Sequence, residues 1–257
     1  VILTSSTLAV ADITVSAAVG STAAVRADRT VSFVADAATA KVSAVVLNGT
    51  AVSKVADGKN TFTYTVTVTD GNGNPVAGAT VTPEADKAGV TVKAGGATGA
   101  DGQATVTLTS STLAVADITV SAAVGSTAAV RADRTVSFVA GVPDGYKSGL
   151  SLTPPDISAD GRDASIVTLL PEDKNGNAVT GMADKLSISV TDINGKTIST
   201  GIIVSSLIES GTPGTYTAKV TGTAAGTYIV KPLYDKTAIG SLQLILTLKA
   251  AEGETSN

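Results

Sequence analysis

The segment that opens Leu3-Thr4-Ser5-Ser6-Thr7-Leu8-Ala9-Val10-Ala11-Asp12 and runs to Ala35 recurs without a single change 105 residues later, from Leu108 to Ala140. About 100 residues is the length of one immunoglobulin-like sandwich, so a verbatim repeat at that spacing points to tandem copies of such a module. A diverged correspondence carries the register further along the chain. Ala56-Asp57-Gly58-Lys59 leads to Asp70-Gly71-Asn72-Gly73-Asn74-Pro75-Val76, and 103 residues on Ala159-Asp160-Gly161-Arg162 leads to Asp173-Lys174-Asn175-Gly176-Asn177-Ala178-Val179. The expected organisation is the C-terminal part of a module over 1–36, a complete module over 41–140, a divergent module over 146–249 and a tail over 250–257. Short linkers, 36–41 and 141–146, would limit bending between them.

The local signal is β-structure throughout. From Thr61 to Thr69, Thr occupies the odd positions and Phe62, Tyr64, Val66 and Val68 the even ones, which is the period of a strand with one face in a core and one in water. Ala104 to Thr109 repeats that alternation; Ile118, Val120 and Ala122 share a face, and so do Val136 and Phe138. Asp101-Gly102 and Asn194-Gly195 lie between such runs, where tight hairpins need residues that tolerate positive φ. No segment of useful length has helical periodicity. The fold class is therefore all-β, as tandem immunoglobulin-like β-sandwich modules. Residues 1–35 carry the later strands of a module without its opening ones, so their apolar faces are expected to stay open.

Composition narrows the chemistry. The 257 residues include no His and no Cys, which removes imidazole bases, thiolate nucleophiles, Ser-His-Asp triads, zinc clusters and disulfides together. Aromatic residues make up 3% of the chain and Trp is absent, so cores must be filled by Val, Ala, Leu and Ile, and there is little with which to stack bases or sugars. With a net charge of −4, no nucleic acid partner is expected. No run approaches the ~20 apolar residues of a membrane helix. Val1-Ile2-Leu3-Thr4 lacks the charged start of a signal peptide and reads as the interior of something longer.

Asp70, Asn72 and Asn74, like Asp173, Asn175 and Asn177, place oxygens at alternate positions as a calcium loop does. The sixth and twelfth positions, where such a loop wants Gly and Glu, hold Pro75 and Val81 in the first loop and Ala178 and Asp184 in the second. The reading taken is a turn in which Asp and Asn cap their own backbone. Asn48-Gly49-Thr50 has the spacing of a glycan acceptor but reads as a turn. Glu172-Asp173 reads as solvated turn charge rather than a glycosidase pair. Lys219, a candidate for an isopeptide crosslink, points by alternation into solvent. Hence no enzyme is expected, with no catalytic, metal or cofactor-binding residue and no cofactor; partner-binding residues are unassigned.

The alternating Thr/Val strand, the run Asp70-Gly71-Asn72-Gly73-Asn74-Pro75-Val76-Ala77-Gly78-Ala79-Thr80-Val81, and Thr98-Gly99-Ala100-Asp101-Gly102-Gln103-Ala104-Thr105-Val106 together resemble the bacterial Ig-like domain type 1 (Big-1), the module of intimin/invasin-family adhesin passengers. The resemblance covers the middle module and, by identity, the first segment. In the last module it holds over 159–181 and 211–230 and weakens around Pro154-Pro155 and over 202–208. It implies stalk or adhesion modules of an inverse autotransporter on the bacterial cell surface, presenting a binding tip to host cells. Membrane attachment would run through a separate outer-membrane barrel domain outside this chain. The implied partner is a host cell-surface protein or a neighbouring bacterial surface component. The alternative is a purely structural surface or biofilm-matrix array without a host receptor. Tyr146, Tyr216, Tyr228 and Tyr234 make the last module the better candidate for contact, although each Tyr taken singly is expected to pack in the core or at a sandwich corner.

Overall fold

A computed structural model of the chain describes residues 1–250, so all of the expected tail over 250–257 except Ala250 lies outside the described residues. Spatial contacts divide the chain into two units. The first comprises 1–54, 58–111 and 115–138; the second comprises 55–57, 112–114 and the chain from 139 onward. Among the described residues regular structure is strand, apart from one short 3-10 turn at Ala37–Thr39.

In the first unit the strands Lys41–Leu47, Thr61–Thr69, Gln103–Ser110 and Val90–Ala94 form an antiparallel sheet in that order. Two three-stranded sheets accompany it, one of Val115–Ile118, Val136–Val139 and Ser53–Val55, the other of Val130–Arg131, Val120–Val124 and Val81–Ala85. The alternation in Thr61–Thr69 does what its period requires. Phe62, Tyr64, Val66 and Val68 are buried and the intervening Thr residues lie at the half-exposed face. Register sets Leu108 opposite Phe62 and Val106 opposite Tyr64, so the sheet's inner face is apolar across its middle strands. The layer that covers it supplies Ile118, Val120, Val136 and Phe138, all at most 1% exposed.

The repeated sequence separates what is local in this fold from what is not. In both copies an Asp with positive φ, Asp12 and Asp117, sits in a bulge and donates its N–H to a Ser hydroxyl, that of Ser32 or Ser137, at 3.0 Å. In both, the strands around that bulge pair with the same partner, Val10 with Phe33 and Val115 with Phe138. Burial differs completely: Val31 is 47% exposed where its counterpart Val136 is 1%, and Leu3 is 42% exposed where Leu108 is buried. Local pairing follows from the sequence alone, whereas burial needs the opposing sheet, which residues 1–35 lack.

The second unit builds two sheets of its own. Gly149–Thr153, Ala164–Leu170, Tyr216–Gly222 and Ile202–Val204 form one, with Ile208–Glu209 also along Tyr216–Gly222. Asp156–Ser158, Leu244–Lys249, Gly226–Tyr234 and Leu186–Asp192 form the other, in which Asp156–Ser158 runs parallel to its neighbour. The core contains Val167, Leu169, Tyr216, Val220, Val230 and Leu246. Gly222 lies where the two layers close: an added Cβ would collide with Leu248, Ile202 and the Gly201 carbonyl.

Candidate functional site

The two Asp/Asn loops are the most developed polar features of the molecule. In the first, the Asp70 N–H donates to the Asn74 carbonyl at 2.9 Å and the Gly73 N–H returns to the Asp70 carbonyl at 3.1 Å. Asp70 Oδ1 accepts the N–H groups of Asn72 and Asn74, both at 2.9 Å. This much is the self-capping turn that the residue types imply. The remainder reaches far along the chain. Asp70 Oδ2 accepts from Asn74 Nδ2 at 2.8 Å and from the Asp36 N–H at 3.1 Å. Asn74 in turn donates from Nδ2 to the Thr7 carbonyl at 2.8 Å and accepts the Ala9 N–H on Oδ1 at 2.8 Å.

The second loop repeats the arrangement inside the second unit. Asp173 Oδ1 accepts the N–H groups of Asn175 and Asn177 at 2.8 and 3.0 Å, and Oδ2 accepts the Gly141 N–H at 2.8 Å. Asn177 donates to the Thr112 carbonyl and accepts the Ala114 N–H, each at 2.8 Å. Both Asp side chains, and both Asn, are buried. The Asn74 amide foremost, helped by the backbone donors and opposed by burial, pulls the Asp70 carboxyl down to about 2. For Asp173 burial is the largest influence and pushes upward, yet the bonds from Asn177, Gly141 and Asn175 together leave its carboxyl below the usual range.

These loops therefore do more than cap themselves. The Asp side chains behave as expected, but Asn74 and Asn177 bind backbone more than sixty residues earlier in the chain. The carboxylate oxygens face N–H donors, and Asn72 is left at the surface. Among the described residues no group of three or more Asp, Glu, His or Cys is placed to hold a metal ion.

The other candidates fall to separate places. Asn48 is exposed beside Gly49, and its side chain bonds the hydroxyls of Thr63 and Thr65. Glu172 is held through its backbone, its N–H donating to the Ser148 hydroxyl and its carbonyl accepting from Asp144. Lys219 is exposed on its strand, as the alternation implies. Of the Tyr residues, Tyr216 is fully buried, and its hydroxyl donates to the Val179 carbonyl at 2.9 Å while accepting the Met182 N–H at 3.1 Å. Tyr228 is buried, donating to the Ala224 carbonyl at 2.9 Å, and Tyr234 is half-buried with the Lys185 ammonium 5.9 Å from its ring centre. Tyr146, 96% exposed, is the one of the four that solvent reaches freely.

Comparison with known proteins accounts for the architecture. Residues 44–139 match the profile of the bacterial Ig-like domain (group 1), and residues 144–248 match that of invasin domain 3. The solved structure of FdeC, an Escherichia coli adhesin, aligns with a TM-score of 0.68 at 30% identity, over 86% of this chain and 67% of that one. The chain belongs to the invasin/intimin family of adhesins built from Ig-like modules. Invasin of Yersinia enterocolitica is 30% identical over 76% of the chain, and the inverse autotransporter adhesin YeeJ of Escherichia coli K12 is 32% identical over 78%. The chain spans only 21% and 8% of those two relatives. The crystal structure of invasin, described as a bacterial integrin-binding protein, aligns with a TM-score of 0.67 at 26% identity, over 93% of this chain and 46% of that one.

Proposed function

We propose that residues 41–140 and 146–249 are two successive modules of a bacterial surface adhesin's extracellular passenger, and that they space a binding element from the outer membrane toward a host cell-surface protein. The observation that carries this reading is the pairing of a verbatim repeat with consecutive matches to adhesin modules over 44–139 and 144–248. A surface specialised for one ligand gains nothing from exact repetition, whereas a spacer gains length with every copy. The chemistry agrees: the sequence has no His or Cys, and among the described residues the Asp70 and Asp173 carboxylates are turned onto N–H donors of the fold itself. Where contact occurs, Tyr146 in the second module is the aromatic side chain most available for it.

An antibody against this chain should label intact bacteria, and protease shaving of live cells should remove the epitope. Labelling only after cell lysis contradicts the surface reading. Beads coated with the purified chain then separate the two roles. Beads that fail to bind epithelial cells, when the adhesin itself confers binding, support a spacer; saturable bead binding moves receptor contact into these modules.

A further inference from the structure

The Asp-x-x-x-Asn turn is complete without its Asn side chain, and a third loop demonstrates this. In Asp192-Ile193-Asn194-Gly195-Lys196 the Asp192 Oδ1 accepts the N–H groups of Asn194 and Lys196 at 2.9 and 2.8 Å, the Asp192 N–H donates to the Lys196 carbonyl at 2.9 Å and the Gly195 N–H to the Asp192 carbonyl at 3.0 Å, the same backbone bonds as in the other two loops. Its fifth residue is an exposed Lys. The turn forms regardless, so folding the turn is not what calls for Asn at positions 74 and 177. Asn74 and Asn177 are 8% and 7% exposed, and burying a primary amide is unfavourable unless its donors and acceptor are matched.

What matches them is the same peptide twice. Thr7-Leu8-Ala9 and Thr112-Leu113-Ala114 belong to the two copies of the exact repeat. A side-chain amide carries an acceptor and a donor in one plane, as a peptide group does. It can therefore take the carbonyl of one residue and the N–H of the residue two further on, as a neighbouring strand would. All four of these bonds measure 2.8 Å. The Asp of each pair takes a second point: Asp36 and Gly141, whose N–H groups it accepts, are the residues immediately after the last of each copy, Ala35 and Ala140. One Asp/Asn pair thus holds a repeat copy near its beginning and at its end. The grip has the same length on residues 1–35, which lack an opposing sheet, as on the copy that is fully packed, so it does not depend on the remainder of the sandwich.

We propose that the Asp-x-x-x-Asn loop is a recognition site for the Thr-Leu-Ala segment of a preceding repeat copy, read through its backbone, and that position five of the loop decides whether a loop has this property. Every copy of the segment is then an equivalent ligand for every loop that keeps the pair. Lys196 marks a loop without it.

Amide hydrogen exchange on the whole chain, resolved by NMR, tests this. Asn177→Ala should speed exchange of the Ala114 amide at least tenfold and leave Ala9 unchanged; Asn74→Ala should do the reverse. Retained protection of Val167 and Val220, in the second unit's core strands, shows that the Asn177 variant is folded. Should that variant fail to fold, Ala114→Pro removes the donor to Asn177 Oδ1 from the other side, and the side-chain amide resonances of Asn177 should shift while those of Asn74 stay in place. Unchanged Ala114 protection in a folded Asn177→Ala chain overturns the proposal. So does loss of protection at both Ala9 and Ala114 from either single variant, which would signify general loosening. No outcome bears on surface location, which antibody labelling tests separately.

Discussion

The rings of Phe62 and Phe138 meet with centroids 5.1 Å apart and planes inclined at 48°. Phe62 belongs to the four-stranded sheet of the first unit and Phe138 to the layer opposite, so this pair is a principal contact between the two. Phe33 is the same residue in the other copy of the repeat, and it is only half-buried. Phe138→Ala should therefore cost about 3–5 kcal/mol, and Phe33→Ala under ~1 kcal/mol, in chemical denaturation followed by circular dichroism. Equal costs would mean that the identical segments are packed alike.

The alternation in Thr61–Thr69 gives a second paired comparison. Val66 is fully buried and Thr67 lies on the half-exposed face. Val66→Ala removes two packed methyl groups and should cost about 1–3 kcal/mol, while Thr67→Ala should stay within roughly 0.5 kcal/mol of the parent chain. Equal losses would place the strand in the other register.

That strand was fully legible because its period, its turn residues and its neighbours all indicate the same face. The Asp/Asn loops were legible only in part. The Asp70 bonds to Asn72 and Asn74 span two and four residues, and local chemistry predicts them. The Asn74 bonds reach Thr7 and Ala9, a pairing that only the folded chain brings about. A signal was nonetheless present: Asn occupies the fifth position of the two loops that follow a repeat copy, and Lys196 occupies it in the one that does not. The exposure of the apolar residues in 1–35 follows from the pairing seen there, since the strands of that segment pair with one another and with no strand beyond it.

The Asp70 carboxylate makes the first unit acid-sensitive. In the fold the Asp70 carboxyl titrates near 2, below the ~3.9 of an unfolded Asp. The ionised form is thus the one the fold favours, and its stabilisation is complete above about pH 5 and is lost as pH falls from about 4 toward 2. Melting temperatures of the parent chain and of Asp70→Asn should differ by a constant amount between about pH 5 and 8, then converge below about pH 4. A difference that widens on acidification would contradict this.

Calcium should have no effect on the loops. The Asp70 oxygens already accept four N–H donors, from Asn72, the Asn74 backbone, the Asn74 side chain and Asp36, and neither loop has the closing Glu of a calcium site. Calorimetric titration with calcium should show no saturable heat, and millimolar calcium should leave the melting temperature in place. A rise of several degrees would show that the cation displaces those donors.

The claim that these modules act by spacing is tested most directly in the full-length adhesin displayed on bacteria, by measuring attachment to epithelial cells under flow. One variant lacks residues 41–249, and another carries in their place two Ig-like modules of similar length taken from a relative, each displayed at the parental level by antibody to a shared epitope. The spacer account predicts that deletion lowers attachment and that the foreign modules restore it. A fully displayed replacement that remains as poorly attached as the deletion would contradict it and would locate the receptor contact within this chain.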